Sequence, residues 1–274
     1  MGDVFEQAPQ DLVLTILGSH LVHREGEPRE HTTVWSGGLV ALLGEFGFSA
    51  GAARVALTRL VQRDLLERVR DGRMVHYRIT PRAAAVLAEG DERIFTLGTR
   101  PGEGGRWTVL WHAIPEDQRV ARARLVRRLR FLGFGQVQDG TWLAPHDRST
   151  EVAALLADLE VAAHAGVLVG APAAVPDFAD FVPRVWDLDA LAERYGAFVA
   201  EFTNAATRTE PRAAFVARVR LVHAYRQFAL LDPELPEDLV PPPAHRRAAV
   251  ELFHRVYPAL AEPAQHHFDG AMTP

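Results

Sequence analysis

The sequence contains no cysteine. This absence excludes disulfide bonds, thiolate metal sites and every enzyme class that depends on a cysteine nucleophile. Lysine is also absent, so all 30 of the Lys and Arg residues are arginines. A GC-rich coding sequence produces such a bias, and arginine also suits bidentate contacts with phosphate and guanine. The distribution of the arginines along the chain therefore carries more information than their number.

Long hydrophobic runs are missing as well. No apolar run approaches the ~20 residues of a membrane-spanning helix. Residues 1–6 also lack a basic stretch that leads into an apolar segment, which is the pattern of a secretory signal. We therefore expect a cytoplasmic protein with no membrane partner. A length of 274 residues, with 48 % hydrophobic and 24 % charged side chains, is typical of a globular protein with two or three domains.

Positive charge is concentrated in one short segment. The chain has a net charge of -5, but residues 49–82 carry eight arginines and three acidic residues, which gives this segment a charge of +5. The rest of the chain must then sum to -10. A local basic patch on an acidic protein is the electrostatic signature of a surface that binds nucleic acid.

The N-terminal region predicts three consecutive helices. Apolar residues recur at helical spacing over 12–21 and again over 39–46. Gly47 then breaks the chain, and Ser49 is a good N-cap for a third helix through about Asp64. A tight turn before the third helix is typical of a helix-turn-helix arrangement.

A β-hairpin is predicted directly after the third helix. The runs 66–70 and 73–79 flank Asp71-Gly72, and Asp-Gly between such runs favours a hairpin with a two-residue turn at that dipeptide. This hairpin would be the wing of a winged helix-turn-helix DNA-binding domain over residues 1–97.

The third helix has an apolar face and a polar face. Ala53, Leu57, Leu60 and Val61 are predicted to point inward, and the opposite face is predicted to enter the major groove, where arginine can pair with guanine and glutamine with adenine. The candidate DNA contacts are Ser49, Ala52, Arg54, Val55, Thr58, Arg59 and Gln62 on the helix, with Arg68, Arg70 and Arg73 on the hairpin for phosphates or the minor groove. Exposed arginines also simply keep a surface soluble, and Arg54 could equally pair with an acidic side chain.

The middle of the chain predicts a second domain. After a glycine-rich linker at 98–105, the expected elements are a strand, a helix, two strands joined by a turn, a helix and a strand. Their ranges are 107–114, 118–132, 135–138, 141–144, 149–165 and 167–170. This β-α-β-β-α-β order is that of a ferredoxin-like domain, expected over 106–172 for dimerisation or effector sensing.

The remaining residues, 178–274, are predicted to form a helical C-terminal domain, which makes the fold class α+β. Asp187 is a possible N-cap for a helix with an aromatic stripe at Tyr195, Phe198 and Phe202. Such a stripe either fills a core or lines an effector pocket. Two further helices are expected over 212–230 and 245–257.

Nothing in the sequence supports catalysis, a cofactor or a metal site. The 12 histidines are scattered without an HExxH pattern, and no GxSxG elbow or phosphate-binding glycine loop is present. His266 and His267 are expected to lie in a frayed tail. We therefore predict that the protein is not an enzyme.

Three sets of motifs resemble the PaaX-type repressors of phenylacetate catabolism. The N-terminal set is VWSGGLVALL at 34–43, ARVALTRL at 53–60 and GRMVHYRIT at 72–80. The central set is RWTVL at 106–110, RLVRRL at 124–129 and LGFG at 132–135, and the C-terminal set is WDLDAL at 186–191 and LDPELP at 231–236. The resemblance covers nearly the whole chain.

This resemblance implies a homodimeric repressor of transcription that binds double-stranded promoter DNA. It also implies release from DNA by an acyl coenzyme A thioester such as phenylacetyl-CoA. The basic helix after the first central strand could receive the phosphates of such an effector, with Arg124, Arg127 and Arg128 as candidates. It could also contact flanking DNA, or simply present a solvated face.

Two alternatives remain open at this point. The central domain of the family is similar to the small nuclease subunit of CRISPR adaptation complexes, and a metal-dependent nuclease would need a carboxylate at the end of the first central strand, where Glu116 is the nearest acid. Alternatively, the winged helix could bind a protein and act as a scaffold without DNA.

Overall fold

The computed structural model describes residues 8–21, 33–98, 105–171, 178–237 and 239–273. They form an α+β fold, as predicted. Its helices are α1 (Pro9–Leu21), α2 (Ser36–Gly44), α3 (Ala50–Gln62), α4 (Pro81–Thr96), α5 (Arg119–Phe131), α6 (Ser149–Asp158), α7 (Phe178–Val185), α8 (Leu188–Phe202), α9 (Pro211–Leu231), α10 (Arg246–Ala259) and α11 (Ala261–Ala271). Its strands are β1 (Val34–Trp35), β2 (Leu66–Asp71), β3 (Met74–Ile79), β4 (Trp107–His112), β5 (Gly135–Gln138), β6 (Thr141–Ala144) and β7 (Ala165–Gly170). No helix in the described ranges is both long enough and apolar enough to cross a membrane.

The chain divides into two compact units that are discontinuous in sequence. The first unit comprises Met1–Phe95, Ala197–Arg226 and Ala248–Pro274, and the second comprises Thr96–Gly196 and Gln227–Arg247. The C-terminal helices therefore contribute residues to both units. The division into domains at 1–97, 106–172 and 178–274 stays a prediction, and the middle of the predicted linker lies outside the described residues.

In the first unit, α1, α2 and α3 pack around a shared apolar core beside a three-stranded antiparallel sheet. The sheet has the strand order β1-β3-β2. Leu12, Ile16, Leu39 and Leu57 are fully or almost fully buried, as the helical spacing of the apolar residues predicted. Gly47 has a φ of +85°, a conformation that glycine adopts without a steric penalty, so the chain can turn sharply between α2 and α3.

The hairpin β2–β3 forms as predicted, but its turn lies one residue further along the chain. Asp71 pairs with Met74 across the ladder, so the two-residue loop is Gly72-Arg73 and the predicted Asp71-Gly72 turn is wrong. Gly72 has a φ of +59°, and a positive φ at the first loop position is what a type II′ turn requires. The shift places Arg73 at the tip of the hairpin.

The C-terminal helices of the first unit add an aromatic core. Tyr225 stacks on Phe253 with ring centroids 3.9 Å apart, and His20 stacks on Phe268 at 4.8 Å. His266 and His267 belong to α11, so the prediction that they lie in a frayed tail is wrong. Within the first unit, α11 contacts the residue after α2, since His267 Nε2 lies 2.8 Å from Glu45 Oε1.

The second unit contains a four-stranded antiparallel sheet with the order β5-β6-β4-β7. On one face, buried Leu110 and Trp142 pack with Leu125 of α5 and Val152 of α6. On the other face, the buried residues are Trp107, Leu143, Val182, Trp186 and Leu235. The elements follow one another as strand, helix, strand, strand, helix, strand, in the predicted order.

The second helix of this series is shorter than predicted. The expected helix over 149–165 ends at Asp158, and Glu160 has a φ of +56°. A 3-10 turn at Ala162–His164 leads into β7, which begins two residues before the predicted start of the strand. A non-glycine residue stops the helix, so no glycine in the sequence marks the end.

Candidate nucleic-acid interface

The outer face of α3 is exposed as the sequence predicted. Val55 is 51 % exposed, and Arg59 and Gln62 are also exposed. Ala53, Ala56, Leu57 and Leu60 are buried on the opposite face, while Ala52 and Val61 lie between the two faces and are half-buried. The helix therefore presents a valine, an arginine and a glutamine to solvent, which is the chemistry that reads base edges.

The predicted N-cap of α3 is confirmed. Ser49 has an extended backbone, and its Oγ accepts a hydrogen bond of 3.2 Å from the backbone N–H of Ala52. Thr58 donates its hydroxyl proton to the carbonyl oxygen of Arg54 at 2.9 Å. The donor of Thr58 is thus engaged within the helix, and its oxygen keeps acceptor capacity for a DNA amino group.

The structural role of Ser49 can be separated from a role at DNA. Ser49→Ala is expected to lower the free energy of unfolding by about 1 kcal/mol, because one N–H of the first turn loses its acceptor. Ser49→Asp is expected to retain the cap and the stability but to weaken DNA binding, since it adds a negative charge to the face that meets phosphates. Urea unfolding measures the first quantity and DNA retention the second. If Ser49→Asp binds DNA as well as the unsubstituted protein does, Ser49 lies outside the interface.

Arg54 is exposed at the flank of α3, and no carboxylate among the described residues forms an ion pair with it. The alternative that Arg54 pairs with an acidic side chain therefore has no support among the described residues.

The arginines of the hairpin differ in how their charge is compensated. Arg78 forms a salt bridge with Glu67 across the ladder, with an Nη2–Oε2 distance of 2.8 Å. Arg68 and Arg70 lie opposite Tyr77 and Val75. Within the hairpin, three arginines are exposed and have no ion pair with a described residue: Arg68, Arg70 and Arg73.

Helix α3 and strand β2 pack against each other in the first unit. The uncompensated arginines of the hairpin and the exposed side chains of α3 therefore belong to one continuous part of the fold. A rigid surface of this kind can present positive charge to phosphates beside a helix that fits the major groove.

The three arginines proposed for an effector share a face of α5. Arg124 and Arg127 are exposed, and the guanidinium carbon of Arg128 lies 4.4 Å from the centroid of the Phe131 ring. Spacing of i, i+3 and i+4 brings the three together on the helix surface. None of them lines the cleft of the second unit, whose arginines are Arg130 and Arg194. Sequence reasoning missed these two, because α5 and α8 are far apart in the chain.

The candidate nuclease carboxylate is engaged in a surface contact. Glu116 lies in a 3-10 turn after β4 and pairs with Arg122 at 2.8 Å, with its side chain 75 % exposed. Burial lowers the pKa of the neighbouring His112, Arg122 lowers it further, and Asp139 opposes the shift. Within the described ranges, no group of three His, Asp or Glu side chains could hold a metal ion.

Comparisons with known proteins match all three regions of the chain. The family described as PaaX-like protein matches residues 8–83, the PaaX protein central Cas2-like domain matches 101–182, and the PaaX-like protein C-terminal domain matches 186–270.

The chain is also similar to individual proteins over most of its length. It is 28 % identical over 267 residues to the transcriptional repressor PaaX of Escherichia coli (strain K12), and the match covers 90 % of this chain and 80 % of that protein. A solved structure of an uncharacterised protein from Mycobacterium tuberculosis is 25 % identical, with a TM-score of 0.55 and coverage of 97 % of this chain and 98 % of that one. With the three PaaX regions matched in order from residue 8 to residue 270, the chain belongs to the PaaX family of transcriptional regulators.

Proposed function

We propose that this protein represses transcription by binding double-stranded promoter DNA through a winged helix-turn-helix formed by α1–α3 and β1–β3. The observation that carries the proposal is the set of exposed arginines without ion pairs on α3 and the hairpin, in a chain whose net charge is negative. In this arrangement, α3 enters the major groove and the hairpin arginines contact phosphates or the minor groove. The similarity to a transcriptional repressor supports the same assignment. The proposal places the protein in the cytoplasm, with the DNA.

The second unit is proposed to contain a ferredoxin-like domain that dimerises or senses an effector. The sheet order β5-β6-β4-β7 and the packing of α5 and α6 on one face of the sheet support a ferredoxin-like domain. A homodimer would place two copies of α3 on half-sites about one helical turn apart, roughly 34–36 Å. The three-domain division at 1–97, 106–172 and 178–274 belongs to this proposal.

An acyl coenzyme A thioester, with phenylacetyl-CoA as the example from the family, is proposed to release the repressor. The phosphates of such a ligand could contact Arg124, Arg127 and Arg128, which form a positive face on α5. The ligand must bind the DNA-free form more tightly than the DNA-bound form, because equal affinity would shift no equilibrium. Adding the thioester should therefore weaken DNA retention.

Arg59→Ala tests the proposed interface. A gel shift on the fragment upstream of the protein's own gene should show retention that falls steeply with salt, because arginine contacts release counterions. The substitution is expected to cost about 1–3 kcal/mol of binding free energy, or roughly tenfold to hundredfold in affinity. Arg255→Ala is the matched control, since it removes one exposed arginine from α10. If Arg59→Ala and Arg255→Ala lose the same DNA affinity, the loss is a general charge effect and α3 is not the interface. If the protein is a scaffold that does not bind DNA, the unsubstituted protein shows no specific retention of the fragment.

A further inference from the structure

A cleft of about 440 Å³ opens in the second unit beside the edge strand β5. The segments around it are the turn before β5, the junction of α7 and α8, and the end of α9. The residues that matter for its chemistry are Arg130, Trp142, Trp186, Arg194, Leu230 and Leu231. Its volume falls in the range of roughly 300–1,000 Å³ that is usual for small-molecule sites.

The walls of the cleft are largely apolar and partly open to solvent. Leu230 is 39 % exposed and Leu231 is 44 % exposed, which leaves two adjacent large apolar side chains in contact with water. Trp186 is almost buried and adds an aromatic surface to the lining. Covering exposed apolar surface of this kind is favourable, so an apolar ligand gains free energy by entering the cleft.

The base of the cleft is held in place by close packing. A Cβ atom at Gly135 would lie 2.2 Å from Cγ1 of Val185 and 2.7 Å from Cε2 of Trp186. Only glycine allows the end of α7 to approach β5 so closely. This packing fixes the end of α7 against β5, so a ligand does not have to bear the entropic cost of ordering this part of the wall.

Three polar groups of the cleft have no ion-pair partner or hydrogen-bond acceptor among the described residues. Arg130 and Arg194 form no ion pair with a described carboxylate, and the guanidinium carbon of Arg130 lies 5.9 Å from the ring of Trp142. The indole N–H of Trp142 is buried and donates to no described acceptor. Asp187, the one acid among the described residues of the lining, is engaged at the start of α8, where its Oδ1 accepts from the N–H of Ala190 at 3.0 Å. The site thus offers donors and positive charge.

We propose that this cleft binds a small molecule that combines an apolar body with an anionic group, a carboxylate or a phosphate. The apolar body contacts Trp186, Leu230 and Leu231, and the anionic group pairs with Arg130 and Arg194. Two arginines can hold a carboxylate or a phosphate through charge-assisted hydrogen bonds, which a neutral ligand would not form. The inference goes beyond the proposed function, because the cleft is distinct from the outer face of α5, to which that proposal assigns the phosphates of the thioester.

Dye binding by the full-length protein without DNA tests the site. The anionic probe 8-anilino-1-naphthalenesulfonate and its neutral analogue N-phenyl-1-naphthylamine share an apolar body and differ in charge. Arg130→Gln and Arg194→Gln are each expected to weaken binding of the anionic probe about tenfold and to leave the neutral probe unchanged. Arg255→Gln is the control, because it removes an exposed arginine of α10 that does not line the cleft. The proposal is overturned if Arg255→Gln weakens binding of the anionic probe as much as the cleft variants do, or if neither cleft variant has an effect.

A cavity-filling substitution tests the location independently of charge. Ala190 lines the cleft, and Ala190→Phe is expected to abolish binding of both probes while the far-ultraviolet circular dichroism stays unchanged. Persistence of both probes in this folded variant would place them elsewhere and contradict the proposal.

Displacement of the anionic probe identifies the source of the anionic group. Displacement by benzoate indicates a free acid, displacement by benzoyl coenzyme A alone indicates a thioester, and displacement by coenzyme A alone indicates recognition of its phosphates. Displacement by none of the three contradicts the proposed ligand class. Because no DNA is present, a failure here leaves DNA retention intact, and a failure of DNA retention leaves dye binding intact.

Discussion

Replacing Arg68, Arg70 and Arg73 together by glutamine is expected to weaken DNA binding about a thousandfold at physiological salt. Each side chain is exposed and has no ion pair with a described residue, so its full charge is available to a phosphate. A hydrogen bond to a charged group contributes about 1.5 kcal/mol or more, and three such losses correspond to roughly three powers of ten. The measurement is a titration of a promoter fragment at several salt concentrations.

The salt dependence separates this interpretation from a loss of folding. Each phosphate contact changes the slope of log affinity against log salt by about 0.9, so the triple variant should have a slope that is shallower by about 3. The double variant Glu67→Gln with Arg78→Gln is the matched control, since it removes the salt-bridged pair of the same hairpin and keeps the net charge. An unchanged slope in the triple variant would show that the hairpin does not contact phosphates.

Local signals in the sequence explain why the first three helices and the hairpin could be predicted. The spacing of apolar residues, the capping serine at 49 and the turn glycine at 47 all act within a few residues. The exposure of Val55 and Arg59 on α3 follows from the same periodicity. The position of the turn could not be fixed to the residue, because Asp71-Gly72 and Gly72-Arg73 both supply a glycine with a positive φ.

Helix α4 begins with a local signal that is visible in the sequence. Pro81 is its first residue, and the Oγ1 of Thr80 accepts a hydrogen bond of 3.1 Å from the N–H of Ala83. A capping threonine followed by proline at the first helical position is a recognisable start of a helix. The error at the end of α6 is different, since Glu160 adopts a positive φ that glutamate rarely takes, and no local pattern predicts it.

Long-range pairs could not be predicted at all. Glu45 and His267 are 222 residues apart in sequence and meet only in the folded first unit. The same holds for the cleft, since Arg130 lies on α5 and Arg194 lies on α8. In the sequence, nothing distinguishes either residue from other surface arginines. The periodicity of one helix shows which side chains lie outside its buried face. It does not show which other helix those side chains will contact.

A buried charge network in the second unit is the clearest case of this limit and gives the largest expected effect on stability. The carboxylate of Asp232 accepts a hydrogen bond of 2.7 Å from the hydroxyl of Tyr195, and its Oδ2 lies 2.9 Å from Nε of Arg246. The side chain of Asp232 is 2 % exposed and that of Arg246 is 10 % exposed. Burial acts to lower the pKa of Arg246, but the charges of Asp232 and Glu234 outweigh it, and the pKa is raised.

Asp232→Ala is expected to lower the free energy of unfolding by about 3–5 kcal/mol, as for other buried ion pairs that lose one partner. Among the described residues, the buried guanidinium group of Arg246 would keep Glu234 alone as an ion-pair partner, at 3.3 Å, and the hydroxyl of Tyr195 would lose its acceptor. Urea unfolding followed by tryptophan fluorescence measures the change. Glu201→Gln is the control, because it breaks the solvent-accessible pair with Arg220 and should cost no more than about 1 kcal/mol.

A second variant distinguishes a lost ion pair from a lost contact. Replacing both partners, Asp232→Leu with Arg246→Met, removes the buried charges together and should destabilise the protein less than Asp232→Ala does. The reason is that the main cost of the single change is the desolvated cation it leaves behind, not the attraction it removes. If the double variant is the less stable of the two, the network contributes through packing and geometry, and the electrostatic account of this core is wrong.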